Sequence, residues 1–337
     1  MLVSLADVAR AAGLHKSTVA KALQNHPKIN ADTKTRVQEI ARNLGYRPDP
    51  VLSKIATYRW RKPHAEAGTG IAIVWQARND SEARLPPTLR KALETSLEAA
   101  GYRQSWHCIR TLADARLLNR TLYSRGIEGI LLGFIQDEAV HQAFDWSRHS
   151  IVVFHSGVVA TPFHRVAYHV GSSVREALRR AQAAGFRRPG IVVFDERCQL
   201  DDTFRLGAFL HETREQGLAP NILAVDPASG DKARKELRRW IHDTRPDIIL
   251  CETAWVYWEL VAIGFSIPAD FACITLQEHV PDPAVAGFSA DYEAVIGHAV
   301  HLLDYQLRHN IRGIPARPIE LLVPLIWNDG PSLKPPA

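Results

Sequence analysis

Apolar positions recur at two different periods along the chain. In the first fifty residues the period is helical. Leu5, Val8, Ala9 and Ala12 fall at i, i+3, i+4 and i+7, which is one face of a helix. Ser4 is placed to cap that helix, with Asp7 three residues on near the positive end of its dipole. Gly13 stops it and supplies a tight turn. A second short helix fits 16–24, with Val19 and Leu23 inward, and Asn25-His26-Pro27 breaks it. Asn30 is placed to cap a third helix, whose stripe is Val37, Ile40, Ala41 and Leu44, and Gly45 ends it. Val19, Leu23, Val37 and Leu44 are assigned to the core. Three short helices with a glycine turn between the first two describe a helix-turn-helix unit.

Pro48 and Pro50 start a fourth segment, 51–58, that suits a helix. A linker follows, basic at Arg59-Trp60-Arg61-Lys62 and then small and flexible through Gly68-Thr69-Gly70. From Ile71 the texture changes. Apolar runs at 71–74, 129–132, 151–154, 191–194, 222–225, 248–251 and 273–276 alternate with helical stretches. Those stretches lie near 88–100, 112–125, 173–184, 203–217, 231–243 and 292–311. Near-continuous apolar strands alternating with helices predict a parallel sheet buried on both faces. The length exceeds one comfortable core, so two α/β lobes are expected.

Charge sharpens the division. Among residues 1–62, twelve Lys and Arg stand against four Asp and Glu, a net +8, so the remaining chain carries −3 of the overall +5. A small basic module on a larger, slightly acidic body suggests that the module binds nucleic acid. Cys108, Cys198, Cys251 and Cys273 lie far apart with no C-x-x-C pair, so neither a zinc site nor a disulfide framework is expected, and a reducing cytosol is. No apolar run approaches the ~18 residues of a membrane span, and the N-terminus lacks the pattern of a secretory leader. Catalytic signatures of the G-x-S-x-G, P-loop and H-E-x-x-H kinds do not occur. His298 and His301 share a helix face, which reads as a polar surface. No catalytic residue, metal or cofactor is therefore expected.

Particular motifs point to a family. Ser4-Leu5-Ala6-Asp7-Val8-Ala9-Arg10-Ala11-Ala12-Gly13-Leu14, then Ser17-Thr18-Val19, then Leu44-Gly45-Tyr46-Arg47-Pro48-Asp49-Pro50 resemble the headpiece of the lac-repressor (LacI/GalR) family. Arg125-Gly126-Ile127-Glu128-Gly129-Ile130-Leu131-Leu132, Ala184-Gly185-Phe186-Arg187-Arg188 and Gly264-Phe265-Ser266-Ile267-Pro268-Ala269-Asp270 continue the likeness into the body. The resemblance implies a helix-turn-helix headpiece over 1–49, a hinge helix and linker over 50–69, and a periplasmic-binding-protein-like body over 70–330. Lobe one would take about 70–160 and 288–315, and lobe two about 163–285 and 316–330. It further implies a cytoplasmic homodimer on double-stranded DNA, a pseudo-palindromic operator, and a sugar-like effector between the lobes. The expected role is repression of carbohydrate-related genes.

Residue by residue, Lys16, Ser17 and Lys21 fall on the family's base-reading positions, at the start of the helix that enters the major groove. Thr18, Lys28, Lys34 and Arg36 suit phosphates, which position without specifying. His15, where the family usually has Ser, caps poorly or contacts a phosphate. Ile55 matches the leucine that wedges a central base step, with Leu52 placed to share it. Lys at position 21 lacks the rigid fork of Arg, so no known operator is carried over.

In open parallel sheets ligands sit beyond the carboxyl ends of strands. The effector candidates are therefore Trp75, Arg78 and Asp80 after the first run, Phe134 after the run at 129–132, Asp195 and Arg197 in the second lobe, and Glu252, Trp255 and Asp291 later. A flat aromatic face beside charged or amide groups suits a sugar. His169 stands where the family often has Asp, and Thr203 stands near its effector-binding arginine, with Arg205 two residues on. Two other classes stay open: a cytosolic small-molecule sensor without specific DNA readout, and an enzyme fused to a helix-turn-helix.

Overall fold

The structure is a computed structural model describing residues 3–23, 26, 28–46, 70–77, 79–80, 82–135, 137–154, 163–194 and 199–333, with 199–201 as backbone only. The expected hinge with Leu52 and Ile55 lies outside the described residues, as do Arg78, Asp195 and Arg197.

The N-terminal unit is three helices, α1 (Leu5–Ala12), α2 (Lys16–Leu23) and α3 (Ala31–Asn43). Ser4 and Asp7 form a reciprocal capping box at the start of α1, and Asn30 Oδ1 accepts from Thr33 N at 2.8 Å at the start of α3. Those hydroxyl and backbone hydrogen bonds from Ser4 hold the Asp7 carboxyl below its ordinary range. Gly13 turns the chain in the left-handed region at φ 64°. Val8, Ala9, Ala12, Val19, Ala22, Val37 and Ala41 close a small core of their own. Leu44 is a correction. It caps α3 but is 40% exposed, because Gly45 reverses the chain at φ 72° and brings Tyr46 onto the cluster instead.

The body begins with β1 (Gly70–Gln76), α4 (Pro87–Ala99), β2 (Arg103–Ile109), α5 (Leu112–Ser124), β3 (Gly129–Leu132), α6 (Glu138–Gln142), β4 (Ser150–Val153) and β5 (His164–Tyr168). Then come α7 (Val170–Ala183), β6 (Pro189–Phe194), α8 (Gln199–Glu215), β7 (Asn221–Val225), α9 (Asp231–Thr244), β8 (Ile248–Cys251), α10 (Ala254–Ala262), β9 (Ala272–Glu278) and β10 (Ala286–Ser289). The chain closes with α11 (Tyr292–His309), β11 (Glu320–Val323) and β12 (Ile326–Asn328). Two six-stranded sheets result, ordered β11-β5-β4-β3-β1-β2 and β12-β10-β9-β8-β6-β7. Among the described residues every pairing is parallel except β10 with β12.

Strand alternation explains the burial on both faces. Ile71, Ile73 and Trp75 point to one core with Leu89, Leu93 and Leu97 of α4, while Ala72 and Val74 point to another with Leu118 and Leu122 of α5. In the second sheet Ile248 and Leu250 divide from Ile249 and Cys251 in the same way.

Among the described residues the chain crosses between the sheets three times, after Tyr168, after Ser289 and after Val323. The expected lobe limits move accordingly. Residues 164–168 and 320–323, read as lobe two, belong to the first sheet, and 288–289, read as lobe one, belong to the second. The physical reason is that β5 and β11 are short and open with polar residues, so neither shows as an apolar run. They pair with each other in register, Arg165 opposite Glu320, with an ion pair at 3.7 Å. Among the described residues no helix is long and apolar enough to cross a membrane.

Candidate functional site

Two regions collect the candidate side chains. The first is the outer turn of α2. Val19 and Ala22 anchor this helix to α1 and α3, which leaves Lys16, Ser17 and Lys21 exposed on the opposite side and Thr18 half-buried. His15 does cap the helix, against expectation. Its carbonyl accepts from Thr18 N at 2.9 Å and Val19 N at 3.1 Å, and its Nδ1 accepts from Ser17 N at 3.3 Å. The ring nitrogen thus stands in for the serine oxygen usual at such a cap. Lys28 is exposed and Lys34 half-buried. Arg36 Nη2 donates to Ala12 O at 3.3 Å, so this side chain also ties the end of α1 to α3.

The second region lies at the carboxyl ends of strands in both sheets, beside the crossings. The sequence candidates divide here. Trp75 is a core residue, 8% exposed, with its indole N–H donated to Glu82 O at 3.2 Å. Its alternation with Ile71 and Ile73 dictates this, so it offers no stacking face. Asp80 is exposed and paired with Arg110 at 2.7 Å. Phe134 is half-buried beyond β3. Asp291 accepts from Ala294 N at 2.9 Å and caps α11. Trp255 sits edge-on to Phe194 at 5.6 Å, half-buried.

Glu252 is joined by Arg205, which the sequence shows only as lying two residues beyond Thr203. Arg205 on α8 is 1% exposed and pairs with Asp202 at 3.0 Å and Glu252 at 3.6 Å. It also donates to Gln277 Oε1 at the end of β9. A signal existed, because Arg205, Phe209 and Thr213 recur every fourth residue and all three are buried. Nearby, Glu278 accepts from Ala254 N at the start of α10, and Trp258 donates to Asp282 at 2.9 Å. At the crossings, Tyr168 is 5% exposed, lies edge-on to Tyr292 at 6.4 Å, and its hydroxyl has no hydrogen-bond partner among the described residues. Burial pushes both phenols upward, so they remain donors at neutral pH. Tyr292 in turn bonds His279 Nδ1. The arrangement is a polar wall of amide, guanidinium, carboxyl and phenol groups, suited to binding.

Glu278 has a measurable consequence. Burial pushes its carboxyl up from 4.5 to about 7, Asp282 adds to the rise, and the bonds from Ala254 and Thr275 oppose it. The folded state therefore holds this proton more tightly than the unfolded one, and stability contributed below pH 4.5 is lost as pH rises through 7. Glu278→Gln keeps an acceptor for Ala254 without the charge. It should match the parent at pH 4 and exceed it by about 1–3 kcal/mol at pH 8, read by thermal melts. A difference independent of pH would refute the desolvated carboxylate.

Comparison with known proteins adds the following. Residues 4–49 match the family described as bacterial regulatory proteins, lacI family. The HTH-type transcriptional regulator AglR of Rhizobium meliloti (strain 1021) is 42% identical over 57 residues, 17% of this chain and 16% of AglR. The chain thus matches only about a sixth of that curated relative's length. The HTH-type transcriptional regulator GalS of Salmonella typhimurium (strain LT2) is 24% identical over 283 residues, 80% of this chain and 72% of GalS. The solved complex of the transcriptional regulator CelR with cellobiose superposes with a TM-score of 0.64 at 18% identity, covering 98% of this chain and 99% of CelR. That likeness establishes the two-lobed fold.

Proposed function

We propose, for a chain that belongs through its N-terminal domain to the lacI family of bacterial regulatory proteins, the function of an effector-responsive DNA-binding transcription regulator. The observation that carries this reading is the family match over 4–49 coinciding with an exposed basic turn, Lys16 to Lys21, on a helix anchored by its other face. Lys16, Ser17 and Lys21 read base edges, and Thr18, Lys28, Lys34 and Arg36 contact phosphates. Leu52 and Ile55 take the central minor-groove step. The protein acts as a homodimer, two headpieces matching a pseudo-palindromic site, and works in the cytoplasm where the DNA is. It carries out no catalysis of its own.

The effector site is the cleft around Arg205, Glu252 and Gln277, with Trp255 and Phe134 at its edges. Paired charges, an amide and partly exposed rings suit a polyhydroxylated ligand, and the cellobiose complex of CelR supports a sugar. An effector that draws the lobes together biases the crossings and, through them, the headpieces. This is linkage between two sites, worth ~1–3 kcal/mol. Repression of carbohydrate-related genes is the role this arrangement serves.

Selection of bound fragments from sheared genomic DNA, at two salt concentrations, tests the reading. An enriched pseudo-palindrome is expected, with affinity falling steeply as salt rises. Retention at low salt with no enriched sequence would overturn it and favour a small-molecule sensor whose basic module is only an electrostatic anchor. Lys16→Ala should relax the preference at one base pair per half-site by about 1–3 kcal/mol. An equal loss on every sequence would assign Lys16 to phosphate instead.

A further inference from the structure

We infer that His15 fixes the hydrogen-bonding polarity of Ser17, so that Ser17 reads adenine or cytosine and discriminates against guanine or thymine on the strand it faces. The inference rests on the proposed DNA-reading role of α2 and adds the chemistry of the base edge recognised.

Ser17 lies on the exposed first turn of α2, beside Lys16. Its backbone N–H donates to His15 Nδ1 at 3.3 Å, and its Oγ lies 2.8 Å from the same nitrogen. A backbone N–H is a donor only, so Nδ1 presents a lone pair and carries no proton. The contact between Oγ and Nδ1 needs one hydrogen, and only the hydroxyl holds one. Ser17 therefore commits its hydroxyl proton inside the protein and turns lone pairs outward. With Nδ1 accepting, the neutral ring carries its proton on Nε2, and His15 becomes an outward donor on an exposed ring.

An unconstrained serine hydroxyl rotates, so it serves donors and acceptors alike in the major groove. A hydroxyl held as an acceptor does not. It matches the exocyclic amines, N6 of adenine and N4 of cytosine. It opposes O6 and N7 of guanine and O4 of thymine, which present lone pairs. The expected preference is thus for an amino base over a keto base, with adenine and cytosine both accepted. A serine that reads either polarity would show no such grouping. His15 acts here as a positioning residue, and its Nε2–H is free to meet a phosphate.

The test is selection from duplexes with randomised half-sites, using the full chain as parent, Ser17→Ala, His15→Ala and His15→Asn. The parent should show one position per half-site where adenine and cytosine exceed guanine and thymine by about fivefold, the value of one modest hydrogen bond. Ser17→Ala should level that position. His15→Ala should bring the keto bases within about twofold there, while enrichment at the other positions persists and shows that the headpiece is folded. His15→Asn supplies an amide oxygen as acceptor and should restore the grouping. A keto preference in the parent, or an amino preference that survives His15→Ala yet vanishes in Ser17→Ala, would overturn the inference. A parent pool with no enriched sequence would overturn the regulator reading itself and this inference with it.

Discussion

Replacing Arg205 by alanine should lower the folding stability of the body by about 3–5 kcal/mol. The guanidinium is buried at 1% exposure and touches two carboxylates, Asp202 on its own helix and Glu252 beyond β8, as well as the Gln277 amide near the end of β9. Its removal leaves two acidic groups in a desolvated place without their cation. The cost is that of an uncompensated buried charge and exceeds the value of the pair itself. Urea unfolding, with midpoint and slope compared, measures it. A second substitution separates charge from packing: Arg205→Met combined with Glu252→Gln removes a charge on each side and should recover a large part of the loss. Arg205→Ala within about 1 kcal/mol of the parent would show that water reaches the carboxylates and that the wall is not preorganised. The same wall holds the candidate effector groups in place, so a ligand that stabilises the parent against heat should stabilise this variant less.

The contrast between the headpiece and the cleft shows what a sequence makes legible. Helix periodicity, capping residues and a turn glycine act within a few residues of one another. Ser4, Asp7, Gly13 and Asn30 could therefore be placed from spacing, and each takes the expected part in the structure. Leu44 failed because a stripe drawn at fixed period ignores the reversal one residue later at Gly45. Trp75 is no platform, because its alternation with Ile71 and Ile73 puts the side chain on the core face even though it stands near the strand end. The strands β5 and β11 stand 155 residues apart and pair through Arg165 and Glu320, an arrangement no local period encodes. The pairing of Arg205 is harder to read from sequence than its position. Its role depends on the ends of β8 and β9 arriving beside α8, which only the assembled second sheet provides.

The second sheet has its own point of greatest sensitivity. Gly287→Ala should cost about 3 kcal/mol, at the upper end for overpacking. Gly287 pairs with Thr275 of β9, where the register shifts before Ser289. A Cβ there would meet Thr275 Oγ1 at 2.0 Å, but also Thr275 O at 2.4 Å and Thr275 N at 2.7 Å. The hydroxyl can rotate; the backbone of a central strand cannot move without parting β9 from β10. Parting them would unseat Phe288, which is buried edge-on against Trp327 at 5.0 Å, and loosen Ser289 from Asn328. It would also disturb the crossing that leads into Asp291 and α11. Chemical denaturation should therefore show a lower midpoint for the body, while the separately packed headpiece helices keep their own melting behaviour. Adding Thr275→Ala distinguishes the two contacts. It should return only a minor part of the stability, because it removes the hydroxyl and leaves the backbone oxygen and nitrogen in place. Complete recovery in the double variant would mean that the side chain alone sets the limit and that the strands have room to separate.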